Sequence, residues 1–242
     1  MCRLKSCLVL KDRVFCPDYN SHQQMLEELG IEDDYLHASK TFVRVEFTPP
    51  DNTKSLIEPL DRWTLEVDQD IVPEWWDEKA DRQRVEEAVE AWRREHVFTK
   101  GKHIVKTEKV YAYGDAEIQV YNDATVTAFD RAVVKAYSNA KVYAFGKTTV
   151  ETVSNVPVEA YGNTTVRAYG GAKVEAFDHA KVKAYSNAKV EARGNAKVGA
   201  FDRAIVTAWD RAMVKAYNRA MVIYPEERKI IYPTGWTAET HE

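Results

Sequence analysis

Cys2 is the residue with the strongest chemical promise in this 242-residue chain. Removal of Met1 ahead of a small second residue would make it an N-terminal nucleophile whose own α-amine serves as base. Arg3 and Lys5, close by, would favour the thiolate. Candidate partners are His22, Asp18 and Asp68, if neighbouring elements bring them together. Against this stands the commoner fate of a cysteine near a strand start, burial as a small apolar residue. Cys7 and Cys16 read that way. The pair Asp68 and Asp70, after a strand and before Pro73, has the makings of an acid/base or metal-holding pair, but a polar turn suits it better. There is no Gly-rich phosphate loop, no Gly-x-Ser-x-Gly and no His-Glu-x-x-His. No metal or cofactor is expected, and no reaction is identified.

A second group of residues suits binding rather than catalysis. Tyr137, Tyr161 and Tyr185 recur at one position of a repeat, and a ladder of exposed rings can stack on sugars or bases. Rings that only cover corners and fix register are the blander reading, and the better one, because the aromatic recurs in nearly every unit. Lys173, Lys181 and Lys189, with Lys141 and Lys197, make the middle of the repeat region somewhat basic. A solvated face is the ordinary account of such charge, and a phosphate-tracking surface is the sharper one.

The element that must position these residues is an octapeptide repeat, Ala-x-Val-x-Ala-aromatic-x-x. Fourteen full units run from Glu108 to Arg219 without insertion, and another begins at Ala220. The third position is Val or Ile throughout; the sixth is aromatic except at Val153 and Arg193. Alternation over the first five positions is the period-two signature of a strand with one buried face. The last two positions draw on Asp, Asn, Gly, Ser and basic residues, and Gly and Asn there let the chain turn a corner. A short strand plus a corner, repeated at constant length, predicts a β-solenoid. A two-sided coil would take about 16 residues and a three-sided one about 24. The size profile favours three sides: Val in the middle of a side would face an open centre, with Ala near the corners. Recurrences point both ways. Phe129-Asp-Arg-Ala, Phe177-Asp-His-Ala and Phe201-Asp-Arg-Ala lie 48 and 24 residues apart, whereas Val126-Thr-Ala-Phe and Val206-Thr-Ala-Trp lie 80 apart.

Residues 1–100 read as a small α+β domain. Cys7 to Leu10 and Val14 to Cys16 flank Lys11-Asp12-Arg13 as a hairpin. Ser21 with Gln24 opens a helix that Gly30 stops. Strands are expected at Thr41 to Phe47 and at Trp63 to Val67. A helix from about Asp77 to His96 carries the stripe Val85, Ala88, Val89 and Trp92. The N-terminal domain is expected to cover one end of the solenoid (residues 101–223). Residues 224–242 divide into a closing hairpin around Pro225 to Arg228, with Ile230, Ile231 and Tyr232 capping the other end, and a tail from Thr234 in which Trp236 could dock on a neighbouring chain.

Composition narrows the classes. The formal net charge is −4, unevenly spread: 16 Lys/Arg against 12 Asp/Glu from Glu108 to Arg219, and 16 against 22 before that. Neither part is extreme enough to declare nucleic acid as partner. No run of about 18 apolar residues predicts a membrane span, and the first 15 residues lack a signal-peptide core. Three cysteines without Cys-x-x-Cys spacing suit a reducing compartment. The expected location is cytoplasmic.

Met1-Cys-Arg-Leu-Lys-Ser, Val14-Phe-Cys-Pro-Asp-Tyr, Met25-Leu-Glu-Glu-Leu-Gly-Ile31 and Val67-Asp-Gln-Asp-Ile-Val-Pro-Glu-Trp75 together resemble uncharacterised phage and prophage proteins of gut bacteria. Those proteins carry a tail of similar Ala-x-Val-x-Ala-Tyr repeats. The resemblance brings no site residue and no activity. It implies a phage setting and a host-cytoplasm location, and by analogy an inhibitor or decoy of bacterial immunity of the anti-CRISPR kind. The leading expectation is therefore a non-enzymatic interaction protein whose partner is a host protein, with homo-oligomers a further outcome. An enzyme or covalent trap using Cys2 with His22, and a glycan- or nucleic-acid-binding module using the ring ladder, are the alternatives.

Overall fold

A computed structural model describes residues 4–50, 55–227 and 229–231. The chain divides into two compact units, Met1–Val97 and Phe98–Glu242. Among the described residues no helix is long and apolar enough to cross a membrane.

The first unit is α+β. Strands β1 (Lys5–Leu10) and β2 (Val14–Phe15) form the expected hairpin. With β3 (Phe42–Thr48) and β4 (Thr64–Val67) they make an antiparallel sheet in the order β2-β1-β3-β4. β1 is buried along its whole length, as suits a central strand covered on both faces. Helix α1 (His22–Leu29) begins where Ser21 accepts a hydrogen bond from the Gln24 amide and ends at Gly30 with φ 65°. A short helix, α2 (Tyr35–Ala38), is capped by Asp34. Helix α3 (Glu78–His96) starts at Asp77, whose carboxylate takes the Lys79 and Ala80 amides. Its buried stripe is longer and more polar than the sequence suggests: Asp81 and His96 extend the line of Val85, Val89 and Trp92.

The second unit is the β-solenoid, and its coils have two sides. Every unit contributes a four-residue strand, and each strand pairs in parallel with the strand sixteen residues away: Val134 with Val150, Val150 with Val166, Val166 with Val182. Alternate units therefore fall into two sheets. Sheet I runs from Lys102–Val105 to Met213–Ala216. Sheet II carries Lys109–Ala112 through Met221–Tyr224 and ends on the antiparallel strand Lys229–Ile231. The three-sided coil is overturned by this register. Three eight-residue sides would enclose a centre that valine is too short to fill, forfeiting the close contacts that hold a core together. Two flat sides let each valine meet the opposite sheet. Positions one, three and five of the central units are buried, mostly with no exposure at all.

The corners explain the last two positions of the repeat. All fourteen seventh-position residues have φ between 53° and 71°. Six of them are Asp or Asn and five are Gly, with Ser138, Ser154 and Ser186 completing the set; Asp and Asn enter this region at lower cost than other side chains. Aspartates there do a second job. Asp178 accepts the Gly162 amide at 3.0 Å, Asp202 the Ser186 amide at 3.0 Å and Asp210 the Gly194 amide at 2.9 Å. Each bond reaches back sixteen residues and ties one coil to the one before. The closing hairpin forms as expected, with Ile223 opposite Ile230. It extends sheet II, and Ile230 stays exposed. Among the described residues no strand follows Met213–Ala216 in sheet I. Tyr232 and the tail from Thr234, Trp236 included, lie outside the described residues.

Candidate functional site

The proposed nucleophile Cys2 and its neighbour Arg3 lie outside the described residues. Its candidate partners are not brought to one point. His22 Nδ1 is 3.1 Å from Asp68 Oδ2 and its Nε2 is 3.2 Å from the Val45 carbonyl. Both ring nitrogens are thereby occupied, and the imidazole pins α1 to β3 and to the turn after β4. Asp18 goes elsewhere, to His96 Nε2 at 2.7 Å. The Asp68-Gln69-Asp70 segment is the turn it was expected to be. Its central Gln69 accepts the Arg44 amide at 2.8 Å and donates to the Phe42 and Ile71 carbonyls. Glu32, Asp34 and His37 each bring a ligand atom within 4.8 Å of the others. The cap of α2 accounts for Asp34 and His37, since Asp34 accepts the His37 amide at 2.8 Å.

Sequence reasoning missed a thiol pair. The β1–β2 register sets Leu8 against Phe15, and its continuation puts Cys7 opposite Cys16. The two thiols hydrogen-bond to each other. That bond and burial push the Cys7 thiol well above its ordinary value. Cys16 is lowered, by the Cys7 hydrogen bond first and the Lys5 ammonium after it, against the opposing effect of burial. Lys5 is itself buried, with its ammonium 4.6 Å from the centre of the Trp92 ring and bonded to the Pro17 carbonyl. Two cysteines at equal distances from a tight turn were the available signal.

In the solenoid the sixth-position rings form two ladders, one per corner column. Tyr113, Phe129, Phe145, Tyr161 and Phe177 stack at 4.7–5.3 Å between centroids. Tyr169, Tyr185, Phe201 and Tyr217 stack at 4.8–4.9 Å, and Tyr121 stacks on Tyr137 at 4.7 Å. The two exceptions to the repeat each end a stack: Val153 after Tyr137, and Arg193 after Phe177. Tyr161 and Tyr185 have a ring against both faces, so a flat ligand cannot stack on them without parting the coils. They offer edges and hydroxyls instead. The Tyr161 hydroxyl already donates to Glu159 at 2.8 Å.

The lysines divide between the two sheets. Lys173 and Lys189 stand in register on sheet II, beside the equally aligned Glu159, Glu175 and Glu191. A column of cations thus runs next to a column of carboxylates. Below them the same face turns apolar, with half-buried Ile205, Met221 and Ile223, and a groove of about 540 Å³ crosses the two regions. Lys181 is on sheet I, in register with Lys197 and next to Lys183. No carboxylate occupies an outward position of sheet I from Thr165 onward. The two outer faces therefore differ in charge although one template builds both. No family model, curated protein or solved structure matches the chain.

Proposed function

We propose that the protein is a non-enzymatic interaction protein that holds a partner protein against the outer face of sheet II. One observation carries this reading: apolar Ile205, Met221 and Ile223 lie beside matched columns of lysine and glutamate on a flat, stiff sheet. Specific protein interfaces combine an apolar centre with charged surroundings that fix orientation. The sheet fixes the backbone from which these side chains project, so little backbone ordering entropy is spent on contact. The setting consistent with the N-terminal resemblance is a phage or prophage protein acting in the host cytoplasm on a host protein, as an inhibitor or decoy of bacterial immunity.

The test is affinity capture of the tagged protein from a host bacterial lysate, alongside the double variant Ile205→Thr/Ile223→Thr. Threonine already stands at outward positions of this sheet, as at Thr125 and Thr207, so the fold is kept. A stoichiometric protein retained by the parent chain and lost by the variant is the expected result. Equal retention by both, or a mass adduct on Cys2 with no partner, overturns the reading.

A further inference from the structure

The outer face of sheet I poses a physical question that the repeat does not answer. In its last four strands the outward residues are Thr165 and Arg167, Lys181 and Lys183, Lys197 and Gly199, Met213 and Lys215. Strand register sets Arg167 against Lys183 and Lys181 against Lys197. Like charges directly opposite across strands destabilise a sheet. None of these five cations is in an ion pair among the described residues. Sheet II is the internal control. There the same template stacks Lys173 on Lys189 but sets Glu175 and Glu191 two residues along each strand. Five cations outside any ion pair are thus a property of this face, not of the octapeptide.

Their arrangement is concave. Gly199 interrupts the column between Lys183 and Lys215, and the gap opens a groove of about 680 Å³ bordered by the lysines, Met213 and the Phe201 and Tyr217 rings. A Cβ at position 199 would come within 3.2 Å of the Phe201 ring, so the glycine keeps the floor open. Four strands at ~4.8 Å spacing span roughly 14 Å, and the two columns stand about 7 Å apart. The patch is also bounded. Glu151 lies in register with Arg167 at one end, and among the described residues Met213–Ala216 is the last strand of the sheet at the other.

We infer that this groove binds a linear chain of two or three phosphoryl groups, as carried by inorganic polyphosphate or by a nucleoside triphosphate. Lysine ammoniums are point-charge donors suited to phosphate oxygens, and a short polyanion supplies in one molecule the counter-charge for the four lysines that line the groove. A nucleic-acid strand fits less well. Its backbone would run on past Arg167 into Glu151, and the ladder faces that its bases need are already covered by neighbouring rings. Among the described residues Tyr217 ends its stack, which leaves one ring face for a single base; this is where the two phosphate sources differ.

The experiment is isothermal titration of the full chain with tripolyphosphate, adenosine triphosphate, sulfate and a short single-stranded DNA, all at one ionic strength. Saturable one-to-one binding of tripolyphosphate is expected. It should weaken at least tenfold in Lys181→Gln/Lys183→Gln and stay unchanged in Lys173→Gln/Lys189→Gln on the other sheet. All exchanged side chains are exposed, and melting curves of each variant report on the fold. Tighter binding of adenosine triphosphate, lost in Tyr217→Leu, assigns the nucleotide as source; equal binding assigns the phosphate chain alone. Gly199→Lys separates shape from charge, because it adds a cation while filling the groove: weaker binding supports the site. Stronger binding by that variant, no saturable tripolyphosphate binding, sulfate binding as well as tripolyphosphate, or binding of DNA alone overturns it. The partner captured on sheet II is unaffected by these outcomes.

Discussion

Three threonines replace alanine or valine inside the solenoid core, and their hydroxyls have different fates. Thr148 and Thr164 stand at the first position of their units, fully buried. Each donates to the carbonyl three residues earlier, Phe145 at 2.6 Å and Tyr161 at 2.7 Å. That carbonyl is the one reached by the backbone amide in alanine units, as from Ala180 to Phe177. Thr152, at the fifth position and equally buried, has no hydrogen-bond partner for its hydroxyl. Valine is nearly the same shape, so Thr→Val at each site exchanges a hydroxyl for a methyl and little else. At Thr152 an orphaned buried hydroxyl costs about 1–3 kcal/mol, and the new methyl adds about 0.8 kcal/mol of apolar burial. Allowing for relaxation, T152V should stabilise the protein by about 1–2 kcal/mol. At Thr164 the same exchange strands the Tyr161 carbonyl at about 1–3 kcal/mol, against the same methyl gain, for a net loss of about 1 kcal/mol. The signs are opposite. Urea denaturation followed by circular dichroism measures both, provided the m-value is unchanged. If T152V lowers the midpoint as T164V does, the Thr152 hydroxyl is hydrogen-bonded after all, through a trapped water, and the accounting fails.

The thiol pair and the ring ladder give two more tests. Because Cys16 is held below the ordinary thiol range, it carries more thiolate than Cys7 at any pH near neutrality, and native-state alkylation read by peptide mass should label Cys16 and spare Cys7; mild oxidation should join the two, and preferential labelling of Cys7 would contradict the geometry. Burial, and then the Glu159 carboxylate, push the Tyr161 hydroxyl up to about 12. A raised folded-state value means that its contribution to stability is complete below the ordinary tyrosine range near 10 and is lost as pH climbs toward about 12. Ultraviolet titration of tyrosinate should show late ionisations, Tyr19 being raised to about 12 as well, of which Glu159→Gln brings one down, and an unchanged curve in that variant would refute the cause.

How far the sequence could be read follows from what each signal constrains. Strand and corner were legible because they are local: Val or Ile at the third position of each unit and left-handed residues at the seventh admit one backbone path. The N-terminal hairpin and the Ser21 and Asp77 caps were legible for the same reason. The number of sides was not, because each octapeptide is nearly a copy of the next and any multiple of eight gives an acceptable core alignment. What settles it is the volume enclosed, a property of facing sheets that no single unit carries. The Cys7–Cys16 contact and the splitting of Asp18 from His22 were hidden for a different reason. They depend on which strand lies beside which, and the local patterns left that open.

The sixteen-residue coil has a consequence that outweighs the regularity of its units. Successive octapeptides share a template but never a face, so Lys181 has Lys197 for a neighbour while Lys173 and Lys189, closer in sequence, are on the other side of the core. Core positions are constrained identically in every unit. Outward positions are constrained only by the units two away, and each column of a sheet can be set independently of the sheet behind it. One column pair became balanced and partly apolar; the other became cationic with a glycine gap. A repeat whose interior tolerates almost no variation can in this way carry two unlike surfaces, and the charge along each face, not the repeat itself, is where binding has to be sought.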